Sequence, residues 1–352
     1  MTPKKILIVR TDRIGDVVLT LPMAAALKHY FPQSHITFAG RKYTAPIAQN
    51  CTFIDETIVF PDNLQSVPAS ELLPMLKNKN FDTVFLVSPN YQASLLMFLA
   101  RIPHRIGNGF RWFSFLYNNR IWEHRSKVKY HELEYNLRML KGVGVEVPFD
   151  KSTTRYGLRV SKETNTAVSK MLSELSVPEK HPIIVVHPGS GGSAIDLPLE
   201  KFHELVVSLE REQLGTILIT GNKQEEALCA EVAEETRAIN LSVKFSLTEL
   251  MGIIGKSDIF VSNSTGTLHM AAAMGKHVIG FYPKIKVCSA KRWGPYSATS
   301  DVFEPMIDCK NCTRKKCEDL QCMNTINIDM VTKRIKEICS VNLSNGENNV
   351  SK

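Results

Sequence analysis

The residues best placed to do chemistry early in the chain lie in VRTDRIGDVVLTLP, Val9 to Pro22. An apolar run stops at Arg10, two acids (Asp12 and Asp16) flank Gly15, and a second apolar stretch follows. The pattern reads as a strand, a tight turn and a helix that begins at Asp16. A carboxylate kept ionised by a helix start can take a proton from an attacking hydroxyl, although the same dipole lowers its basicity. Each acid also reads as a plain turn or cap residue. The glycine fingerprint of dinucleotide-binding turns is missing here.

Three further segments carry anion chemistry. HPGSGGSAIDLP, His187 to Pro198, puts three glycines and two serines after an apolar run, so that backbone amides and the hydroxyls of Ser190 and Ser193, with Gly191 and Gly192 between, could hold phosphate. GNKQEEAL offers Glu225 or Glu226 at a strand end, suited to ribose hydroxyls or to capping the next helix. NSTGTLHMAAAMG starts a helix at Ser264 or Thr265. Gly266 there permits close approach, Thr267 follows, and free amides point outwards at a diphosphate. His269, one turn in, suits either ligand contact or plain packing.

Two other segments stand out. Residues 101–132 mix aromatics with Arg101, Arg105, Arg111, Arg120 and Arg125, a composition that fits anionic partners, nucleic acid among them, or a plain exposed loop. Cys309, Cys312, Cys317 and Cys322 read C-x2-C-x4-C-x4-C. This is tighter than common zinc spacings, so reduced thiols are preferred to a structural zinc. Disulfides are not expected of a reducing compartment.

The elements that must position these residues alternate. Strand-like runs at 6–9, 35–40, 57–60 and 83–87 recur at 183–187, 216–220, 243–246, 259–262 and 278–282, with helical patterns between them. This predicts an α/β chain with parallel sheets, passed through twice. The boundary falls in the polar stretch 147–182, giving domains 1–160 and 161–326, a last helix 327–340 and a frayed tail 341–352. With 352 residues, 43% of them hydrophobic, the chain can bury two cores, and its net charge of +8 favours anionic partners. No signal-peptide core or membrane-spanning run is visible, so a cytoplasmic protein is expected, at most resting on the inner membrane's cytoplasmic face.

In order along nearly the whole chain, ILIVRTDRIGDVVLTLP, HPGSGGSAIDLPLEKF, ITGNKQEEAL, VSNSTGTLHMAAAMGKHVIGFY and the cysteine segment resemble glycosyltransferase family 9, the ADP-heptose:lipopolysaccharide heptosyltransferases. The resemblance implies the GT-B fold, two Rossmann-like domains facing across a cleft. It implies an inverting, metal-independent enzyme with no cofactor. The first domain would bind an anionic lipid-linked glycan acceptor through Arg10, Asp12, Gly15, Arg105, Arg111 and Arg120. The second would bind a nucleotide sugar, ADP-heptose or another, through the segments above. The catalytic acid of the I-G-D turn corresponds to Asp16, and the last helix often packs back on the first domain.

Two positions depart from the family pattern. Many members carry a lysine or arginine where this chain has Ile195, and heptosyltransferases usually carry an aspartate where it has Ser264. Lys223, Lys284, Lys286 or Arg292 are candidates to replace the cation. A different nucleotide sugar, an epimerase of the same build, and a basic nucleic-acid- or membrane-binding module are the competing readings, with no nucleic acid expected on the leading one.

Overall fold

The computed structural model describes residues 2–63, 68–178, 181–307 and 312–348. The chain divides into two compact units. The first is Met1–Arg159 with Tyr296–Ala298, and the second is Val160–Pro295 with Thr299–Lys352.

The first unit holds a parallel six-stranded sheet of β1 (Lys5–Val9), β2 (His35–Arg41), β3 (Glu56–Phe60), β4 (Thr83–Leu86), β5 (His104–Asn108) and β6 (Asn119–Ile121), in the order β3-β2-β1-β4-β5-β6. β1 is buried from Ile6 to Val9, as a central parallel strand covered on both faces must be. Its register pairs Val9 with Ala39 and with Leu86, which levels the carboxyl ends of β1 and β4. The strand order reverses between these two strands, and the loops leaving them flank the crevice where such sheets bind ligands.

The second unit repeats the design with β7 (Ile183–His187), β8 (Thr216–Ile219), β9 (Ile239–Asn240), β10 (Ile259–Asn263), β11 (His277–Phe281) and β12 (Ser300–Phe303), ordered β12-β11-β10-β7-β8-β9. All its pairings are parallel, and its reversal lies between β7 and β10. The amphipathic helix Leu199–Arg211 buries Phe202, Leu205, Val206 and Leu209 against β7, β8 and β10.

Several expectations need correction. The run VKFS, 243–246, is not a strand. Val243 sits in a turn at φ +66° and Ser246 caps the helix Leu247–Lys256, while the edge strand is β9, a few residues earlier. β5, β6 and β12 were not expected. The basic-aromatic segment contains the first two because short runs such as HRIGN lack a long apolar signature. The last helix runs Ile328–Asn348, and Val331, Ile335, Ile338 and Cys339 pack into the second unit's own core beside Phe202 and Leu205. The frayed tail expected at 341–352 is therefore helical through Asn348, and 349–352 lie outside the described residues. What rejoins the first unit is the short segment Tyr296–Ala298. The Tyr156 hydroxyl donates to the Tyr296 carbonyl at 3.0 Å, and the Tyr296 hydroxyl donates to Glu134 Oε1 at 3.0 Å.

Candidate active site

In the first unit, Asp16 lies in the first turn of the short helix Ile14–Val18, directly after β1. Arg10, the first residue after β1, is buried and pairs its Nη2 with Asp16 Oδ1. Arg10 Nε also lies 2.9 Å from Asp12 Oδ2, and Nη2 lies 3.7 Å from Glu132 Oε1. Glu132 is 2% exposed and pairs in turn with Arg125, which donates to Asn136 Oδ1 at 3.0 Å. Asn136 donates to the Leu19 carbonyl at 2.9 Å, locking this network onto the turn. Two guanidinium groups and three carboxylates thus share one site, the arrangement a buried charge requires.

Burial raises the pKa of Asp16 above its ordinary value. Arg10 opposes the rise, while Asp12 and Glu132 add to it. A helix of five residues has too little dipole to lower the basicity as the sequence suggested, so desolvation decides. A carboxylate made more basic while still paired with a guanidinium is a better proton acceptor. Asp12 is more exposed, and its Oδ1 accepts from Ser88 Oγ at 2.9 Å. Ser88 leaves β4, so this bond joins the two loops of the crevice.

The three acceptor arginines are not brought together as expected. Arg105 is spent on its own loops. Its Nε donates to the Leu116 carbonyl (2.8 Å) and its Nη1 to Ile102 (2.6 Å), and its guanidinium covers Phe98. Arg120 donates to the Ser114 carbonyl at 3.0 Å. Arg111 is exposed in the connection that leaves the carboxyl end of β5, the edge from which Arg10 also emerges. Beside it, Trp112 is 73% exposed and stacks on Tyr91, while Phe110 packs on Trp122 and His124.

In the second unit the loop after β7 takes its shape from backbone and small side chains. Gly191 and Gly192 adopt φ +59° and +71°, which glycine enters at no steric cost, and both are exposed. Ser190 is used internally, accepting from the Gly192 amide (3.2 Å) and donating to Asp196 Oδ2 (2.7 Å). Ser193 Oγ donates to the Ser190 carbonyl at 2.9 Å. Asn263, at the end of β10, donates to the Pro188 carbonyl and accepts from the Leu197 amide, both at 2.8 Å. It fastens the loop to the strand across the reversal point.

Of the two glutamates, Glu225 is the one turned inward. It is buried, accepts from the Asn222 amide at 2.9 Å and lies against Gly189, where an added Cβ would stand 2.1 Å from its carboxylate. Glu226 is exposed. His187 Nδ1 meets Thr220 Oγ1 at 3.0 Å, and burial lowers its pKa. Burial pushes Asp196 up to about 6, with Ser190 and Arg314 opposing.

The helix Gly266–Ala273 follows β10. Thr265 stands at its N-cap without a side-chain capping bond, and a helix start of this kind favours an anionic acceptor. Ser264 is buried and hydrogen-bonds the Tyr282 side chain, while Thr267 and His269 are buried in the helix. Ser264, Thr265, Gly266 and Thr267 thus gather at one helix start, as the spacing predicted.

Cys317 and Cys322 are buried with Ile285, and Cys288, Cys312, Ile307 and Ile195 pack around them. Among the described residues no group of histidine, cysteine or acid side chains is arranged to hold a metal ion, and Cys309 lies outside those residues. Arg10 and Asp16 were singled out from sequence, and Arg125 only as one arginine of the basic segment 101–132. Glu132, Asn136, Ser88, Asn263, His187 and Asp196 were given no role there. The H-E-L-E run at 131–134, ahead of a helical pattern, was the one available signal for Glu132.

The model of the family described as glycosyltransferase family 9 (heptosyltransferase) matches residues 70–323. The chain is 24% identical over 292 residues to lipopolysaccharide heptosyltransferase 2 of Salmonella typhimurium, covering 79% of this chain and 82% of that one. Among solved structures it is similar to Escherichia coli ADP-heptose lps heptosyltransferase II, with a TM-score of 0.80 at 18% identity, covering 96% and 99% of the two chains. It is also similar to E. coli heptosyltransferase WaaC with ADP, with a TM-score of 0.73 at 19% identity, covering 95% and 99%. These likenesses give the GT-B fold. No helix of the described residues is long and apolar enough to cross a membrane.

Proposed function

Because this chain belongs to glycosyltransferase family 9, we propose that it transfers a heptose from ADP-heptose to the core of a lipopolysaccharide or a related glycan. The observation that carries this reading is the placement of Asp16: a half-buried carboxylate of raised basicity, ion-paired with a buried arginine, at the reversal point of the first sheet. The names of the relatives support the choice of sugar and acceptor.

In the proposed reaction an acceptor hydroxyl attacks the anomeric carbon in line, and its proton passes to Asp16. The C–O bond to the diphosphate breaks as the new one forms, so the anomeric configuration inverts. Arg10 holds Asp16 in one orientation, and Glu132 and Arg125 hold Arg10. The departing diphosphate is met by the glycine loop after β7 and by the helix start at Thr265–Thr267, polar groups fixed before its charge develops. The reading includes no metal. The exposed aromatics Phe110, Trp112, Phe115 and Trp122, with Arg111 and Arg120 among them, support contact with anionic acceptors and peripheral contact with an anionic membrane face.

The test is transfer itself. Purified protein, ADP-heptose and a heptose-deficient core acceptor should give a product of inverted anomeric configuration by NMR, at a rate unchanged by EDTA. Absence of product with every ADP-, UDP- and GDP-sugar that raises the melting temperature would defeat the reading.

A further inference from the structure

The loop from His187 to Pro198 contains no lysine or arginine, yet a departing diphosphate leaves charge to be neutralised. One guanidinium reaches this loop from a segment more than a hundred residues away. Arg314 is the first residue of the helix Arg314–Asp319, and its Nη2 donates to the Ala194 carbonyl at 3.0 Å. The next residue, Ile195, packs its side chain on the cluster of Cys317 and Cys322, so the same helix grips the loop at two successive residues. Cys317 is 2% exposed, which fixes the helix, whereas the Arg314 side chain remains 57% exposed. Its partner within the helix, Glu318, stands 3.7 Å from Nη1, at the edge of an ion pair. Of the five donors of a guanidinium, one is thus committed to the loop, Nη1 lies towards Glu318, and the side chain as a whole stays largely in solvent.

Resting on the reading that this loop holds the donor's diphosphate, we infer that Arg314 is a binding residue for that diphosphate, supplying the positive charge the loop itself lacks. The placement also accounts for Ile195. An apolar side chain there anchors the helix that carries the cation, so the charge arrives from the cysteine segment. Of the substitutes considered from sequence, Lys284 donates to the Ile307 carbonyl at 3.0 Å and Arg292 lies over Trp293.

The experiment is calorimetric titration of full-length wild type, Arg314→Gln and Arg314→Lys with ADP and, separately, with adenosine. Arg314→Gln keeps a donor for Ala194 and removes the charge. It should bind ADP about 10-fold more weakly, as expected for losing one partly solvated charge-assisted contact, with adenosine affinity unchanged. Arg314→Lys should recover part of the loss, and the salt dependence of ADP binding should be shallower in Arg314→Gln than in wild type. Equal ADP affinity in wild type and Arg314→Gln overturns the assignment alone. An equal loss for ADP and adenosine also overturns it, since that marks a loop staple. Wild type that binds adenosine but gains nothing from the diphosphate overturns the donor reading of the loop, and the assignment with it.

Discussion

The two crevices of this chain are built on the same strand order and solved in opposite ways. In the first unit the loops after β1 and β4 are joined by charged side chains: Arg10 gathers Asp12, Asp16 and Glu132, and Ser88 reaches Asp12. In the second, the loops after β7 and β10 are joined by one neutral amide, Asn263, between Pro188 and Leu197. A site that must move a proton needs a titratable group in low dielectric, and that group needs buried partners of opposite charge. A site that must hold an anion can be made largely from backbone amides, which carry no proton to lose. On the proposed reading, the difference goes with base chemistry in the first unit and anion binding in the second.

That division can be broken by experiment. The largest effect expected is from Asp16→Ala, which should lower kcat by about 10³-fold, within the range for removing a positioned base. ADP affinity measured by calorimetry should be unchanged, and a joint loss of both would mean that the two sites are not separable. In wild type, the raised pKa of Asp16 means its ionised form is lost at a higher pH than for an ordinary carboxylate. The rate should therefore fall on the acid side earlier than a solvated aspartate would cause. Glu132→Gln removes one charge that raises this pKa, so the acid limb of the pH–rate profile should move to lower pH. It also leaves Arg10 and Arg125 short of a buried partner, at a cost of about 2–3 kcal/mol in urea unfolding.

Apart from the Arg314 contact, ADP binding in the second unit should answer to the shape of its loops. Gly189→Ala drives a methyl into the Glu225 carboxylate, costing about 1–3 kcal/mol of stability. It should weaken ADP binding while leaving the pH profile where it was. The smallest effect concerns Asp196, whose folded pKa of about 6 lies above its unfolded value. A raised carboxylate pKa means that stability is full below the unfolded value and declines as pH rises to the folded one. Asp196→Asn should thus melt with wild type at pH 4 and be more stable by roughly 1–3 kcal/mol at pH 7, since partial exposure limits the shift.

The pieces legible in sequence were those whose signal is local. The strand–turn–helix at Asp16, the glycines at 191 and 192 and the helix start at 265–267 each announce themselves within about ten residues. What escaped is long-range or short. Glu132 and Asn136 meet Arg10 across more than 120 positions, and Arg314 meets Ala194 across 120. No spacing rule links such residues. β5 and β6 are three to five residues long and interrupted by arginine and asparagine, so their strand character comes from pairing and not from pattern. VKFS failed for the converse reason: an apolar-looking run was taken over by a left-handed turn at Val243 and a serine cap.

The return of Tyr296–Ala298 to the first unit has a consequence for how the chain is made. Tyr156, fully enclosed, waits for a carbonyl 140 residues downstream. At 5–20 residues per second, that partner leaves the ribosome roughly 7 to 28 s later. Until then the first unit carries a buried hydroxyl with no acceptor, and Glu134 lacks its tyrosine. Synthesis therefore completes the first unit only after most of the second has emerged, and a gene fragment ending at residue 160 encodes a unit without these two hydrogen bonds.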